Sequence, residues 1–333
     1  MPLHTETSST PLPPKYLQDD KLTQECEELL PSLPKEKGWV SSYLYQYRGF
    51  WHSARQLQGV IACQKHFEAQ DSDIFLVTTP KSGTTWLKAL LFALVNRMQY
   101  SFMEQHPLLM HSPHELVPYL DSKIYVENQT PDLSSFTSPR LFATHLPLVS
   151  LPQSVHDCPC KIVYLCRDPK DTFVSLWHFA NKLRLENMES NSLDDVFDRF
   201  CKGVSAYGPF WDHVLGYWKE SLKNPDKVLF LKYEDLKEKP TSQLKKISNF
   251  LGYPFSSEEE ASGLLEGIID LCSFDKLSNL EVNKSGKLSS GEENKAFFRR
   301  GEVGDWMKFL NAKMVARLNS ITQQKFDASG LKL

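Results

Sequence analysis

The stretch IFLVTTPKSGTTWLKALLFALV, from Ile74 to Val95, decides the fold. A short apolar run ends in Thr78-Thr79-Pro80. A small-residue loop then carries Lys81, Ser82, Gly83, Thr84 and Thr85, and a long amphipathic pattern follows from Trp86. That order predicts a strand, an anion loop and a helix N-terminus. The start of a helix offers unpaired backbone N–H groups and the positive end of the macrodipole, which together hold a phosphate or sulfate. Gly83 lets the backbone approach the anion closely, the hydroxyls of Ser82, Thr84 and Thr85 add donors, and Lys81 supplies a full positive charge.

The loop departs from the G-x-x-x-x-G-K-[ST] pattern of nucleoside triphosphate sites, in which Lys follows the second Gly and a magnesium-binding hydroxyl follows Lys. Here Thr84 follows Gly83, Thr78 stands where the first Gly would be, and Lys81 precedes the glycine. No pair of Asp residues lies near the loop to hold magnesium, which counts against ATP.

A chain of 333 residues makes one large domain or two modest ones. A net charge of -3 and a sequence pI near 6.4 give no global signal for nucleic acid, so any basic site is local. The 7 cysteines are scattered without regular spacing, which argues for a reducing compartment over a disulfide framework. Cys158-Pro-Cys160 is a lone close pair, and no metal site is expected. The polar, Pro-rich opening has no signal-peptide core. The longest apolar run, Ala89 to Val95, falls short of the roughly 20 residues a membrane span needs. A cytoplasmic protein without membrane attachment is expected.

Residues 1–37 are expected to form a flexible tail, with Pro11, Pro13, Pro14, Pro31 and Pro34 blocking regular structure. Residues 38–333 are expected to form one folded domain, opening with the aromatic run GWVSSYLYQYRGFW. Four short apolar segments read as buried parallel strands: Ile74–Thr79, Leu141–His145, Lys161–Cys166 and Val228–Lys232. Helical patterns cover Thr84–Met98, Lys170–Leu185, Leu193–Val204, Phe210–Ser221 and Pro240–Leu251. The alternation predicts an α/β domain, a central parallel sheet flanked by helices, with ligands beyond the carboxyl ends of its strands.

Each candidate residue falls at such an end. His145 closes the second strand, where an imidazole can draw a proton from an acceptor hydroxyl. Arg167 closes the third, where a guanidinium can grip a phosphate, and Ser175 lies two turns into the next helix, with Asp168 as its cap and Pro169 at its start. Tyr233 leaves the fourth. Farther on, Arg299 and Arg300 run into Gly301, forming a second anion nest. Two anion sites imply a ligand with phosphate-like groups at both ends. With Trp86 and Tyr233 available for stacking, an adenine nucleotide with an extra 3′-phosphate fits.

The motifs PKSGTTW, ATHLP, RDPKDTFVSLWHF, KYEDL and RRGEVGDW, in that order, resemble the cytosolic sulfotransferase family, and the resemblance covers the chain from about Gly38 onward. LPKEKGW, FWH, CQKHFEA and SNLEVNK are similar to its plant branch. The resemblance implies a P-loop-like fold and 3′-phosphoadenosine 5′-phosphosulfate (PAPS) as sulfuryl donor, with the bisphosphate PAP as product and no metal. It assigns Lys81 through Trp86 to the 5′-phosphosulfate. It assigns Arg167, Ser175, Arg299, Arg300 and Gly301 to the 3′-phosphate, and Trp86, Tyr233 and Cys272-Ser273-Phe274 to the adenine. His145 matches the catalytic base, with Lys81 and Ser175 as a pair that restrains idle hydrolysis.

Two departures stand out. Animal members carry a lysine two residues before the histidine, where this chain has Ala143. Their short dimer motif is replaced here by Met307, Asn311, Ala312 and Ala316, so a monomer is expected. The acceptor pocket is assigned to Tyr45, Trp51, Phe142 and the loop around His106, Leu108, His111 and His114. These suggest a small hydroxylated molecule, a flavonoid or other phenolic first, with steroids, hydroxyjasmonate and desulfoglucosinolates as alternatives. A metal-dependent kinase and a non-catalytic nucleotide-binding protein are the rival classes, opposed by the place of Lys81 and by His145 respectively.

Overall fold

A computed structural model describes residues 14–18, 20–100, 105–184 and 189–333. The expectation of a flexible tail over residues 1–37 is corrected for the described part of that segment. Residues 1–13 lie outside the described residues, but from Pro14 onward the chain is built into the fold. The Lys15 amide bonds the Ser290 carbonyl at 3.0 Å and the Ser53 hydroxyl bonds the Tyr16 carbonyl at 2.7 Å. A helix follows at Gln24–Leu29, capped by Thr23. The prolines fit because Pro31 opens a short 3-10 turn, where its missing N–H costs nothing, and the carbonyl of Pro34 accepts from Gln46.

Strand β1 (Lys35–Lys37) then pairs with β2 (Tyr43–Tyr47), which pairs with β3 (Phe50–His52), giving a small antiparallel sheet that sequence reading did not resolve. The Ala54–His66 helix after it was also missed, although Ser53 and Gln56 form a full capping box.

The main sheet has β4 (Ile74–Thr78), β5 (Leu141–Thr144), β6 (Lys161–Cys166) and β7 (Val228–Lys232), all parallel, in the order β5-β4-β6-β7. Alternation along each strand sorts its side chains onto two faces. Phe75, Val77, Phe142, Ile162, Tyr164 and Phe230 enter one core, while Leu76, Ala143, Val163, Leu165, Leu229 and Leu231 enter another. Burial on both faces is why these strands are apolar throughout. β4 and β6 are central, so the loop after β4 and the residues after β6 share one sheet end with His145.

The helices lie where expected, Pro240–Leu251 with the same bounds and the others with shifted ends: Thr84–Val95, Pro169–Leu183, Leu193–Cys201 and Phe210–Lys223. A C-terminal helix, Ala312–Phe326, packs Met314, Leu318 and Phe326 into the first core.

Candidate active site

The loop between β4 and the Thr84–Val95 helix turns through left-handed backbone at Lys81 (φ 69°) and Gly83 (φ 105°). A Cβ on Gly83 would lie 2.7 Å from the Tyr233 ring, so both backbone freedom and a close approach demand glycine. The helix starts at once, leaving its first N–H groups directed beyond the sheet.

One sequence expectation for the loop is corrected. The Ser82 hydroxyl is buried and bonds Thr79 Oγ1 at 2.6 Å, so it ties the loop together and does not face a ligand. Thr84 Oγ1 bonds Thr78 Oγ1 at 2.7 Å, and Thr85 Oγ1 meets His114 Nε2 at 2.9 Å.

Lys81 extends over the Phe179 ring, with Nζ 3.9 Å from its centroid. Among the described residues no hydrogen bond joins Lys81 to Ser175, which lies one helical turn before Phe179. Burial lowers the Lys81 pKa to about 7, with the cations Lys182, Arg299 and Arg167 adding to the shift. An anion arriving here meets an excess of positive charge.

His145 follows the last residue of β5, and its Nδ1 lies 2.7 Å from the carbonyl of Thr78 at the end of β4. A carbonyl only accepts, so Nδ1 carries the proton and Nε2 keeps its lone pair. Burial pushes the pKa down to about 3; the Thr78 bond opposes this, and Lys88, His213 and Lys81 reinforce it. The ring is a neutral imidazole. Its backbone is pinned by His213 Nε2, 2.9 Å from the His145 carbonyl, and by Tyr217, whose hydroxyl donates to the Leu146 carbonyl at 2.8 Å.

The second cationic group lies across from the loop. Arg167, 5% exposed, stacks over the Tyr233 ring at 4.5 Å and donates to the Glu302 carbonyl at 2.6 Å. Asp171 fixes the facing turn by accepting from the amides of Gly304 (2.7 Å) and Trp306 (3.0 Å). Arg299 pairs with Asp305, and Arg300, more exposed, lies 3.6 Å from the same carboxylate. Among the described residues, the buried Nε–H groups of Arg167 and Arg299 and the Trp86 indole N–H have no partner. Buried donors normally have one, so this end is shaped for an acceptor-rich ligand. Trp86 meets Tyr233 edge-on at 5.6 Å, Tyr233 donates to the Gly301 carbonyl at 3.0 Å, and Gly301 passes the Phe274 ring too closely for any Cβ (2.6 Å).

One cavity of about 370 Å³ joins all of this. Lys81, Gly83, Thr84, Thr85, Trp86, Arg167, Ser175, Tyr233, Cys272, Ser273, Phe274, Arg299, Arg300, Gly301 and His145 line it, as sequence reading grouped them. Of the residues assigned to the acceptor pocket, His114 lines it, whereas Tyr45, Trp51, Phe142, His106, Leu108 and His111 do not. Phe142 is fully buried among Phe67, Phe75 and Phe136. Trp51 packs with Leu44 and Val204, and His106 bonds the Leu108 amide beside Phe92. Tyr45 lies one residue from Leu44, the residue of β2 that does reach the cavity, and alternation turns it to the other face. The lining residues missed include Tyr16, Trp39, Tyr119 and Tyr207. Trp39 belongs to the LPKEKGW motif; the others carry no local signal.

Residues 71–330 match the family model described as the sulfotransferase domain. Cytosolic sulfotransferase 12 of Arabidopsis thaliana is 51% identical over 327 residues, covering 98% of this chain and 99% of the relative. Cytosolic sulfotransferase 15 of the same plant is 48% identical over 321 residues, covering 96% and 89%. Among solved structures, an Arabidopsis thaliana protein provisionally assigned as a steroid sulphotransferase has a TM-score of 0.76 at 44% identity, covering 98% of this chain and all of that one. Mouse sulfotransferase SULT7A1, solved with PAP, has a TM-score of 0.66 at 29% identity, covering 86% and 96%. The chain belongs to the sulfotransferase family. It is an enzyme of the class that transfers a sulfuryl group. Among the described residues no helix is long and apolar enough to cross a membrane.

Proposed function

We propose that this enzyme takes the sulfuryl group from PAPS and passes it to a hydroxyl of a small aromatic acceptor, releasing PAP. The observation that carries the reading is the single cavity running from the Arg167–Arg299 end, past the anion loop, to His145. Its two cationic ends suit a nucleotide with phosphate at the 3′ position and phosphosulfate at the 5′ position, and the unpartnered Arg167, Arg299 and Trp86 donors support the fit. SULT7A1, solved with PAP, supports the same nucleotide.

In this reading the acceptor oxygen attacks sulfur while its proton moves to Nε2 of His145. The new O–S bond forms as the bond from sulfur to the 5′-phosphate oxygen breaks, and the electron pair leaves with that phosphate. Charged Lys81 and the loop N–H groups stabilise the leaving oxygen. The anionic donor also favours a charged ring, raising His145 above its resting basicity when the proton must move.

The acceptor end, walled by Trp39, Leu44, Tyr119 and Tyr207, favours a flat aromatic molecule, a flavonoid or other phenolic, over a steroid, hydroxyjasmonate or desulfoglucosinolate. We read the enzyme as a cytosolic monomer, since Met307, Asn311, Ala312 and Ala316 replace the family's dimer motif. The test is a transfer assay with sulfur-labelled PAPS across those acceptor classes. Labelled phenolic product with stoichiometric PAP is expected. Transfer to steroids alone would overturn the acceptor, and no transfer with PAPS intact would overturn the donor.

A further inference from the structure

Lys88 has no place in the mechanism above, yet it is 0% exposed inside an otherwise apolar helix. A buried ammonium is costly without compensation, and among the described residues no carboxylate comes within ion-pair distance of it. Its Nζ lies 3.2 Å from His114 Nδ1 and 3.5 Å from the centroid of the Tyr119 ring. The other nitrogen of His114, Nε2, lies 2.9 Å from Thr85 Oγ1. His114 stacks on Tyr119 (5.7 Å, 26°) and meets Phe297 at 4.0 Å, so its ring is clamped. Thr85 and His114 both face the donor cavity.

These contacts form a chain in which the direction of every hydrogen bond follows from the first. An ammonium has only donors, so with Lys88 charged Nδ1 must accept. Burial and the neighbouring Lys88 charge keep His114 neutral, so its one proton sits on Nε2 and is donated to Thr85 Oγ1. The Thr85 hydroxyl hydrogen is then released toward the cavity. With Lys88 neutral the chain can reverse, and Thr85 then donates to His114 and is lost to the ligand. Burial, the largest influence, and Lys123 push the Lys88 pKa well below its ordinary value, while Asp121 and Glu292 oppose the shift and favour the charged form.

We infer that Lys88 is a positioning residue which, through His114, holds the Thr85 hydroxyl as a donor to the anion bound in the loop. The inference rests on the loop binding the phosphosulfate end of PAPS, and it assigns a role to a lysine one helical turn beyond the loop.

The test is a double-mutant cycle on the full-length protein, with PAP as the probe in calorimetric titrations. Lys88→Met and Thr85→Val should each weaken PAP about tenfold or more, as expected for loss of a hydrogen bond to a charged group. The double variant should be no weaker than Thr85→Val alone. Losses that multiply, or a Lys88→Met variant that binds like wild type, would overturn the inference. Should Lys88→Met not fold, nitrogen-15 shifts of His114 in the wild-type protein decide: a proton on Nε2 is expected, and a proton on Nδ1 would sink the idea. A wild-type protein that does not bind PAP would sink the donor assignment together with this inference; binding with multiplying losses would sink this inference alone.

Discussion

The ring of His145 is held by Thr78 through a 2.7 Å bond from Nδ1 to a backbone carbonyl, joining the ends of two neighbouring parallel strands. The bond is a consequence of the sheet. β4 and β5 run side by side in register, so the residue after β5 finds the last carbonyl of β4 within reach. It fixes which nitrogen is free. His145→Ala should therefore reduce sulfuryl transfer by about 10²–10⁴-fold, the usual range for a general base. PAP affinity should stay nearly unchanged, because the cationic ends are intact. Turnover measured beside PAP titrations checks this, and unaltered turnover would remove the residue from the chemistry.

Lys81 gives a pH signature. In the free protein burial, then Lys182, Arg299 and Arg167, lowers its pKa from 10.5 to about 7. An anion bound beside it favours the charged form, so binding raises that pKa and takes up a proton. PAP affinity should fall as pH rises above about 7, by up to about tenfold per pH unit for one group. Folding stability has the opposite slope. Between about 7 and 10.5 the unfolded chain binds more protons at this site than the native one, so stability rises with pH. Lys81→Met should flatten both profiles. A PAP affinity independent of pH in the wild-type protein would contradict the assignment.

Arg299 is expected to read the 3′-phosphate. Its Nε–H is buried with no partner among the described residues, while its terminal nitrogen pairs with Asp305. Asp305 keeps Lys308 at 3.0 Å when the arginine is removed, so Arg299→Ala does not strand a buried carboxylate. The variant should lose about tenfold to a hundredfold in PAP affinity, and little for adenosine 5′-phosphate. Equal losses for the two nucleotides would refute the discrimination.

Much of the donor end was legible because it is built from contiguous residues: a strand, a glycine loop and a helix start within one stretch, and two arginines beside a glycine in another. Chemistry and spacing are visible there together. Ser82 was misread because a hydroxyl in a loop can turn inward, and its bond to Thr79 depends on backbone angles that residue types do not specify. The acceptor end was not legible. Tyr16 reaches it from a segment full of prolines, Tyr119 from the edge of β5, and Tyr207 from a loop before the Phe210–Lys223 helix. Their meeting is set by tertiary packing alone. Parity also escaped the sequence: without the register of β2, nothing distinguished Leu44 from Tyr45.

Gly301 should tolerate no side chain. Its φ of 66° is left-handed, and a Cβ would stand 2.6 Å from the ring of Phe274, the residue assigned to the adenine. Gly301→Ala must shift that wall or the backbone that also accepts from Tyr233 at 3.0 Å. PAP affinity should drop about tenfold or more, with the melting temperature lowered by backbone strain of about 1 kcal/mol or above. Wild-type PAP affinity in this variant would show that Phe274 does not form part of the nucleotide wall.

The alternation of β2 supplies a matched pair of variants for the acceptor end. Leu44, 3% exposed, lines the cavity and packs with Trp51 and Val204, whereas Tyr45 points to the other face of its strand and pairs in register with His52. Leu44→Ala removes apolar contact from the acceptor without touching either cationic end. The acceptor KM should rise about tenfold, in line with a loss of about 1–3 kcal/mol of apolar contact, while the KM for PAPS stays put. The enlarged space should also favour bulkier phenolics over the best wild-type acceptor. Tyr45→Ala should leave both KM values unchanged. Steady-state kinetics on the two variants decide between the faces: an acceptor KM that responds to Tyr45 and not to Leu44 would mean that the acceptor enters from the opposite side of the small antiparallel sheet.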